Sequence, residues 1–221
     1  MVGCAGLCNA ASAGEIDTLL FGSLDAGAAT FVTSGVKIGL PTLTQDGAVA
    51  LASFGGGHQR ERGPDGVRRR YTALGAVVVG YQWVFDWGVV AAFAGPEGST
   101  QMLAERLGRT LLPPRFGLRL HGEIWARPTE ETLLQATLIA GTSLDSIWAR
   151  IAWGYRLWDA YLGPEASVYA DGTGYQKISL GLHGTDFDVG PFSVRVSAGV
   201  QGETDRRAIA PYTALSVWSP L

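Results

Sequence analysis

The segment 192–201 alternates between apolar and polar or small side chains at every residue. The apolar set is Phe192, Val194, Val196, Ala198 and Val200, and the opposing set is Ser193, Arg195, Ser197, Gly199 and Gln201. Successive side chains of a β-strand point to opposite faces, so this alternation predicts a strand with one apolar and one polar face. Residues 147–157 repeat it, with charge confined to Arg150 and Arg156 on one face. A sheet of such strands must cover its apolar face with protein or with lipid.

The composition favours lipid as the cover of this apolar face. Charged residues make up 17% of the chain, against about 25% in soluble domains, and the 31 glycines are about twice the usual ~7% share. The longest uncharged run, 71–85, is too short for the ~20 apolar residues of a membrane helix. If the chain crosses a bilayer, its sheet must close into a barrel, because an open edge would leave backbone groups unpaired in lipid.

Twelve segments are predicted as strands, and most approach the ~9–11 residues that a tilted barrel strand needs to cross a bilayer. They are 18–25, 30–40, 47–57, 71–84, 87–96, 115–126, 132–142, 146–157, 160–170, 175–185, 192–202 and 210–219. We therefore expect an all-β fold: a closed antiparallel up-and-down transmembrane β-barrel of about 12 strands, with an apolar exterior and a polar interior.

The predicted links differ between the two ends of this barrel. Most links at one end are short, while the other end has the two longest, 58–70 and 97–114. This asymmetry is typical of outer-membrane barrels with both termini on the periplasmic side. Helix formers in residues 99–112 predict either a short helix at the barrel mouth or in its lumen, or a mobile loop. Five arginines, Arg60, Arg62, Arg68, Arg69 and Arg70, are interpreted as part of a solvated loop.

Residues 1–13 end in Ala11-Ser12-Ala13, which matches the small-residue pattern of a secretory cleavage site. We interpret them as the remnant of a signal peptide, with a disordered N-terminus as the alternative, and expect residues 14–221 to form a single β-barrel domain. Both cysteines, Cys4 and Cys8, lie in the first segment. The predicted barrel domain therefore has neither an internal disulfide nor a cysteine-based metal site.

The polar faces of the strands supply the candidate site, a predicted polar and aromatic cluster in the lumen. Its members are Arg119, His121, Glu123, Trp125, Arg150, Tyr161, Glu165, Tyr169, His183 and Arg195. Interleaved charges of both signs would form a self-neutralising plug or a narrow aqueous path, and buried charges must be paired. The aromatic members also suit stacking against sugar rings, although membrane-interface girdles or lumen packing explain them equally well.

Catalysis is the weaker interpretation. His121 with Glu123 and Ser179 with His183 are the best candidate pairs, but Ser179 and His183 would lie about 13 Å apart along a strand, too far for direct proton transfer. The three histidines lack the spacing of metal ligands, so we expect neither a metal nor a cofactor. The formal net charge of −3 and the lack of a basic stripe argue against a nucleic-acid partner.

Several runs of this chain resemble the BcsS family of bacterial cellulose biosynthesis proteins. They are residues 20–27, 80–83, 148–158, 161–171 and 181–187, including Gly163-Pro164-Glu165 followed by Tyr169 and Asp171. The resemblance implies an accessory protein of the bacterial outer membrane, associated with cellulose synthesis or export in proteobacteria. The resemblance implies no established catalytic residues.

The function expected from the sequence is that of a non-catalytic outer-membrane accessory of cellulose biosynthesis and export. Its partners would be the lipid bilayer, other cellulose secretion components and the glucan chain. It would act as a conduit, a scaffold or a glucan-contacting surface, and the sequence does not separate these roles. The alternatives are an outer-membrane lipid- or glycan-modifying enzyme and a soluble calycin-like barrel with an apolar lumen.

Overall fold

The computed structural model describes residues 17–63, 66–106, 108–204 and 206–221, and all of their side chains except those of residues 62, 63 and 206–208. The predicted leader, with Cys4 and Cys8, lies outside these ranges. Every regular element within them is a strand: β1 (Thr18–Ala26), β2 (Thr30–Leu40), β3 (Gly47–Gly63), β4 (Gly66–Phe85), β5 (Gly88–Glu105), β6 (Gly108–Leu111), β7 (Arg115–Thr129), β8 (Thr132–Gly141), β9 (Ser146–Leu157), β10 (Ala160–Ala170), β11 (Gln176–Val189), β12 (Phe192–Glu203) and β13 (Arg206–Pro220). The described residues contain no helix of the length and apolarity that a membrane crossing requires.

The strands form one closed antiparallel sheet. Each wall strand pairs with its neighbours along the chain, and β1 closes the ring by pairing with β13 over residues 19–26 and 213–220. Twelve strands make up the wall, while the short β6 pairs only with the far end of β5. The predicted closed barrel of about 12 strands is confirmed.

The apolar rows point outward. On β9, Ile151 and Trp153 are 54% and 45% exposed while Ala152 between them is 2% exposed, and on β12 Val196 is 49% exposed beside Arg195 at 2%. Large apolar side chains therefore cover the exterior and charged ones face the lumen, as the alternation predicts. A calycin-like barrel needs the opposite arrangement, so that alternative does not fit this fold.

The two ends of the barrel differ. We call the end that carries Thr18 and Pro220 the terminal rim and the opposite end the hairpin rim. Tight turns at the terminal rim include residues 86–87, 130–131, 158–159 and 190–191. Gly190 takes a φ of +63° there, a conformation that glycine adopts without strain.

At the hairpin rim, the segments predicted as long loops are mostly strand. β3, β4 and β5 have 17, 20 and 18 residues, and with β6 they rise beyond the rest of the wall. We call this projecting sheet, formed by residues 58–63, 66–72 and 99–105 together with β6, the extension. The prediction of a helix or mobile loop at 99–112 is wrong, because Gln101 and Met102 pair in register with Thr72 and Tyr71 of β4. Backbone pairing with a neighbouring strand outweighs a weak local helix propensity.

Polar and charged side chains line much of the lumen along β7 to β13, together with a few apolar ones such as Leu133 on β8. Inward-facing residues of β3, β4 and β5 form a buried cluster that consists of Val49, Leu51, Ala76, Val78, Ala91 and Phe93. Inward glycines let the strands of this wall approach closely. A Cβ added at Gly80 would lie 1.9 Å from the carbonyl oxygen of Ala92, so no side chain fits there.

Candidate functional site in the barrel lumen

Arg195 forms the centre of the lumen. It projects inward from β12, is 2% exposed, and donates to the carboxylate of Glu165 on β10 and to the side-chain carbonyl of Gln135 on β8. Glu165 also accepts from Ser197 at 3.0 Å and from the Tyr212 hydroxyl at 2.8 Å. A buried charge needs such compensation by pairing and hydrogen bonds. Since β8 and β12 are not neighbours in the wall, the Arg195 side chain bridges the lumen.

A second bridge lies between β2 and β7. Lys37 Nζ donates to Glu123 Oε2 at 2.9 Å, and His121 Nε2 lies 3.2 Å from the other carboxylate oxygen. Lys37 also lies 5.3 Å from the centre of the Phe93 ring. The Glu123 carboxylate of β7 is therefore neutralised by a cation that reaches across the lumen from β2.

A third group lies closer to the hairpin rim. Arg119 Nε donates to Glu97 Oε2 at 3.1 Å, and the other oxygen of Glu97 accepts from the backbone N–H of Ser143 at 2.9 Å. A further nitrogen of Arg119 reaches Ser53 Oγ at 3.4 Å. This pair joins the wall of β5 and β7 to the β8–β9 turn and to β3.

At the terminal rim, two indole rings meet across the lumen. Trp125 on β7 and Trp218 on β13 make an edge contact with ring centres 5.6 Å apart, although their strands lie on opposite sides of the ring of strands. Nearby, Arg127 pairs with Asp186 at 2.9 Å and lies over the Tyr161 ring. Side chains therefore fill the lumen at this end.

A small polar cavity remains between the centre and the hairpin rim. It measures about 20 Å³, and Asp25, Trp148, Arg150, Lys177 and Gln201 are among its lining residues. The Arg150 guanidinium lies 5.6 Å from the Trp148 ring centre. A space of this size suits about one water molecule and not a sugar.

The lumen tyrosines and His183 are held by local partners. Tyr169 donates to Asp171 at 3.2 Å and contacts the ring of Tyr175. Tyr175 lies outside the strands, and its burial together with the nearby Glu203 carboxylate raises the pKa of its phenol above the ordinary value, so it stays protonated. His183 Nδ1 lies 2.7 Å from the Thr185 hydroxyl and Nε2 lies 3.2 Å from the Trp153 carbonyl. In the neutral imidazole, Nε2 therefore carries the proton.

The predicted cluster is thus spread over several levels of the lumen. The structure brings Arg195 together with Glu165, and His121 with Glu123, while the other members belong to separate groups. Sequence reasoning missed important partners of these residues: Lys37, Glu97, Gln135, Ser197 and Tyr212. The signal for Lys37 was available, because it is the one charged residue of the alternating segment 30–40. Within the described ranges, no group of three or more His, Cys, Asp or Glu residues is arranged to hold a metal ion.

The fold is similar to solved outer-membrane barrels at low sequence identity. The KdgM porin in complex with disordered oligogalacturonate matches with a TM-score of 0.50 and 10% identity, covering 92% of this chain and 99% of that chain. The translocator domain of the autotransporter NalP from Neisseria meningitidis matches with a TM-score of 0.52 and 11% identity, covering 95% of this chain and 90% of that chain. At such identities the likeness concerns the barrel alone.

Comparison with curated protein sequences found no match. The sequence profile described as "Cellulose biosynthesis protein BcsS" matches residues 19–221, which include every strand of the wall except the first residue of β1. The match therefore confirms the resemblance that the short runs of sequence indicated. This chain belongs to the BcsS family of cellulose biosynthesis proteins.

Proposed function

We propose that the protein lies in the bacterial outer membrane and serves cellulose secretion as a non-catalytic scaffold. The outward apolar wall supports the membrane placement, together with aromatic side chains around the terminal rim: Tyr81, Trp83, Phe85, Trp87, Trp153 and Tyr155. Such a band at one end of the wall is typical of the lipid–water interface. The terminal rim then faces the periplasm, after removal of residues 1–13 as a signal remnant.

The filled lumen supports a scaffold rather than a conduit. Trp125 meets Trp218 at the terminal rim, and Arg195 reaches Gln135 across the centre. A glucan chain could pass only if these contacts opened at several levels, and opening the contacts of Arg195 would leave charged groups without partners. The contact between the two tryptophans is the observation that carries this proposal.

Two of the lumen tyrosines do not offer a sugar surface. Tyr161 and Tyr175 are each 5% exposed, so their rings are occupied by protein contacts and cannot stack on a glucan. Partner proteins of the secretion apparatus would therefore bind at the rims, where the backbone turns and the extension reach solvent.

His183 is unsuited to general base catalysis because neither of its ring nitrogens is free. The two ring nitrogens of His183 contact the Thr185 hydroxyl and the Trp153 carbonyl. Ser179, on the same strand, is not one of these partners. His121 lies beside the Glu123 carboxylate, which Lys37 also contacts. We propose that these residues stabilise the wall. His183→Phe and His121→Gln should then leave cellulose output unchanged in cells with normal barrel levels, and loss of output would favour the lipid- or glycan-modifying enzyme.

Conductance in planar bilayers tests the closed lumen. The purified protein should show little conductance, and the Trp125→Ala/Trp218→Ala variant should show more, because the contact at the terminal rim is removed. Trp153→Ala, which removes an outward tryptophan near the same rim, is the matched control and should resemble the parent protein. A large, steady conductance of the parent protein, or uptake of glucan oligomers into its proteoliposomes, would support a conduit instead.

Cysteine labelling tests the location and orientation. Thr173 lies in the β10–β11 link at the hairpin rim and Glu130 in a turn at the terminal rim, and both are exposed. In a variant with Cys4 and Cys8 replaced by Ser, Thr173→Cys should react with a membrane-impermeant maleimide in intact cells. Glu130→Cys should react only after the outer membrane is permeabilised. Labelling of both sites only after permeabilisation would contradict the placement.

A further inference from the structure

Three arginines form a row across the outer face of the extension. Arg60 on β3 pairs in register with Arg69 on β4, Arg69 with Ala104 on β5, and Ala104 with Arg109 on β6. Residues directly opposite each other in antiparallel strands point to the same face. Arg60, Arg69 and Arg109 are all exposed, so their guanidinium groups share one side of the sheet.

The extension separates its charges between two faces. On its inner face, Glu61 binds Arg70 through two hydrogen bonds of 2.9 and 3.0 Å and also binds Arg68. Among the described side chains, none of the acidic groups pairs with Arg60, Arg69 or Arg109. Like charges directly opposite each other destabilise a sheet, so an external anion at this row would relieve an existing repulsion.

The arginine row lies just above the lipid-facing wall. On β4, Tyr81 belongs to the aromatic band of the terminal rim, and Tyr71 is the next outward aromatic toward the hairpin rim. The path along the strand between these two tyrosines is about 33 Å. At the usual strand tilt this is about 25 Å along the barrel axis, and that axial distance equals the height of the apolar band of outer-membrane barrels. Arg69 follows Tyr71 on the same face about 5 Å higher, at the level of lipid headgroups.

An apolar groove lies below the row on the same strands. Phe54, Gly75, Gly98 and Phe116 pair in sequence across β3, β4, β5 and β7. The two exposed rings therefore flank a floor without side chains. This groove is part of an open depression of about 840 Å³ that continues past Phe54 to Leu20, Ser34 and Val36 of β1 and β2. Its floor at Gly75 lies about 15 Å below Arg69, a depth that an acyl chain reaches from its headgroup.

We propose that this face binds a phosphorylated glycolipid of the outer leaflet, with its phosphates on the Arg60–Arg69–Arg109 row and an acyl chain in the groove between Phe54 and Phe116. Guanidinium groups bind phosphate through charge-assisted, often bidentate hydrogen bonds. The proposal rests on the proposed outer-membrane placement, with the hairpin rim outward. It would fix the rotational position of the barrel relative to its lipid shell.

Native mass spectrometry of the detergent-solubilised barrel tests the site. Diphosphorylated lipid A should bind more tightly than the same lipid after dephosphorylation. Arg69→Gln should weaken binding of the phosphorylated lipid about fivefold, and the triple Gln variant of the row should weaken it further. Arg156→Gln, which removes an exposed arginine at the terminal rim, is the matched control and should bind as the parent does. Equal affinity for the two lipids, or equal effects of Arg69→Gln and Arg156→Gln, would overturn the proposal.

Two further measurements identify the source of the phosphate and the role of the groove. Inorganic phosphate at millimolar concentration should not displace the lipid, and displacement would indicate a site for free anions. Gly98→Leu should fill the groove and weaken binding of both lipids. Because the assay uses purified protein, unchanged binding in the row variants refutes the lipid site alone, whereas failed surface labelling of Thr173→Cys refutes the membrane placement.

Discussion

Arg195 on β12 donates a charge-assisted hydrogen bond to the carboxylate of Glu165 on β10, and both groups are buried in the lumen. The wall strand β11 separates β10 from β12, so the pair links strands that share no backbone hydrogen bonds. Gln135 and Tyr212 extend the link to β8 and β13. The interior of this barrel therefore acts as a core that ties its wall together.

Removing the central cation should strongly destabilise the barrel. Arg195→Met leaves the buried Glu165 carboxylate without its counter-charge and should cost about 3–5 kcal/mol, measured by urea unfolding in detergent micelles. Arg156→Met, at an exposed position, should change stability by less than about 0.5 kcal/mol. The double variant Arg195→Met/Glu165→Leu should be less destabilised than Arg195→Met. If the double variant loses as much as both single changes added, the pair is not coupled.

The bridge between Lys37 and Glu123 should also be measurable. Lys37→Met should cost about 1–3 kcal/mol, because it removes a charged hydrogen-bond partner from a carboxylate within the lumen. In a double-mutant cycle, Lys37→Met and Glu123→Gln together should cost less than the sum of their separate costs. Additive losses within the error of the unfolding measurement would contradict the contact across the lumen.

Glycine at position 80 should be required by the wall. Gly80→Ala places a Cβ against the backbone of β5 and should destabilise the protein by about 1–3 kcal/mol through overpacking. Gly122→Ala is the matched control, since an added Cβ there meets no atom within 4 Å. That control should be neutral or stabilising by up to about 1 kcal/mol. Equal unfolding free energies for the two variants would show that β4 and β5 lie further apart than described.

A charge on the outer wall should cost most at mid-height. Val196→Lys, near the middle of β12, should destabilise the barrel in lipid vesicles by about 2–4 kcal/mol, whereas Val189→Lys at the terminal rim should cost about 0–1 kcal/mol. Both valines are exposed outward-facing positions. In a protein whose exterior faces water, both changes would be nearly neutral, and that result would contradict the lipid-facing wall.

The sequence alone determined the wall. The alternation in β9 and β12 predicts both the strands and their outward apolar faces, because successive side chains of any strand alternate and lipid and lumen impose opposite polarities. The order of strands follows as well, since short links make each strand pair with the next. The BcsS resemblance also depended only on sequence.

The tertiary structure decided the extension and the lumen contacts. Residues 99–105 are strand because β4 continues beside them, and local helix propensity could not reveal that neighbour. Whether Lys37 reaches Glu123, or Trp125 reaches Trp218, depends on strand stagger and tilt around the closed ring. Alternation along one strand assigns a side chain to the inside or the outside, but only closure of the sheet determines which inward side chains meet.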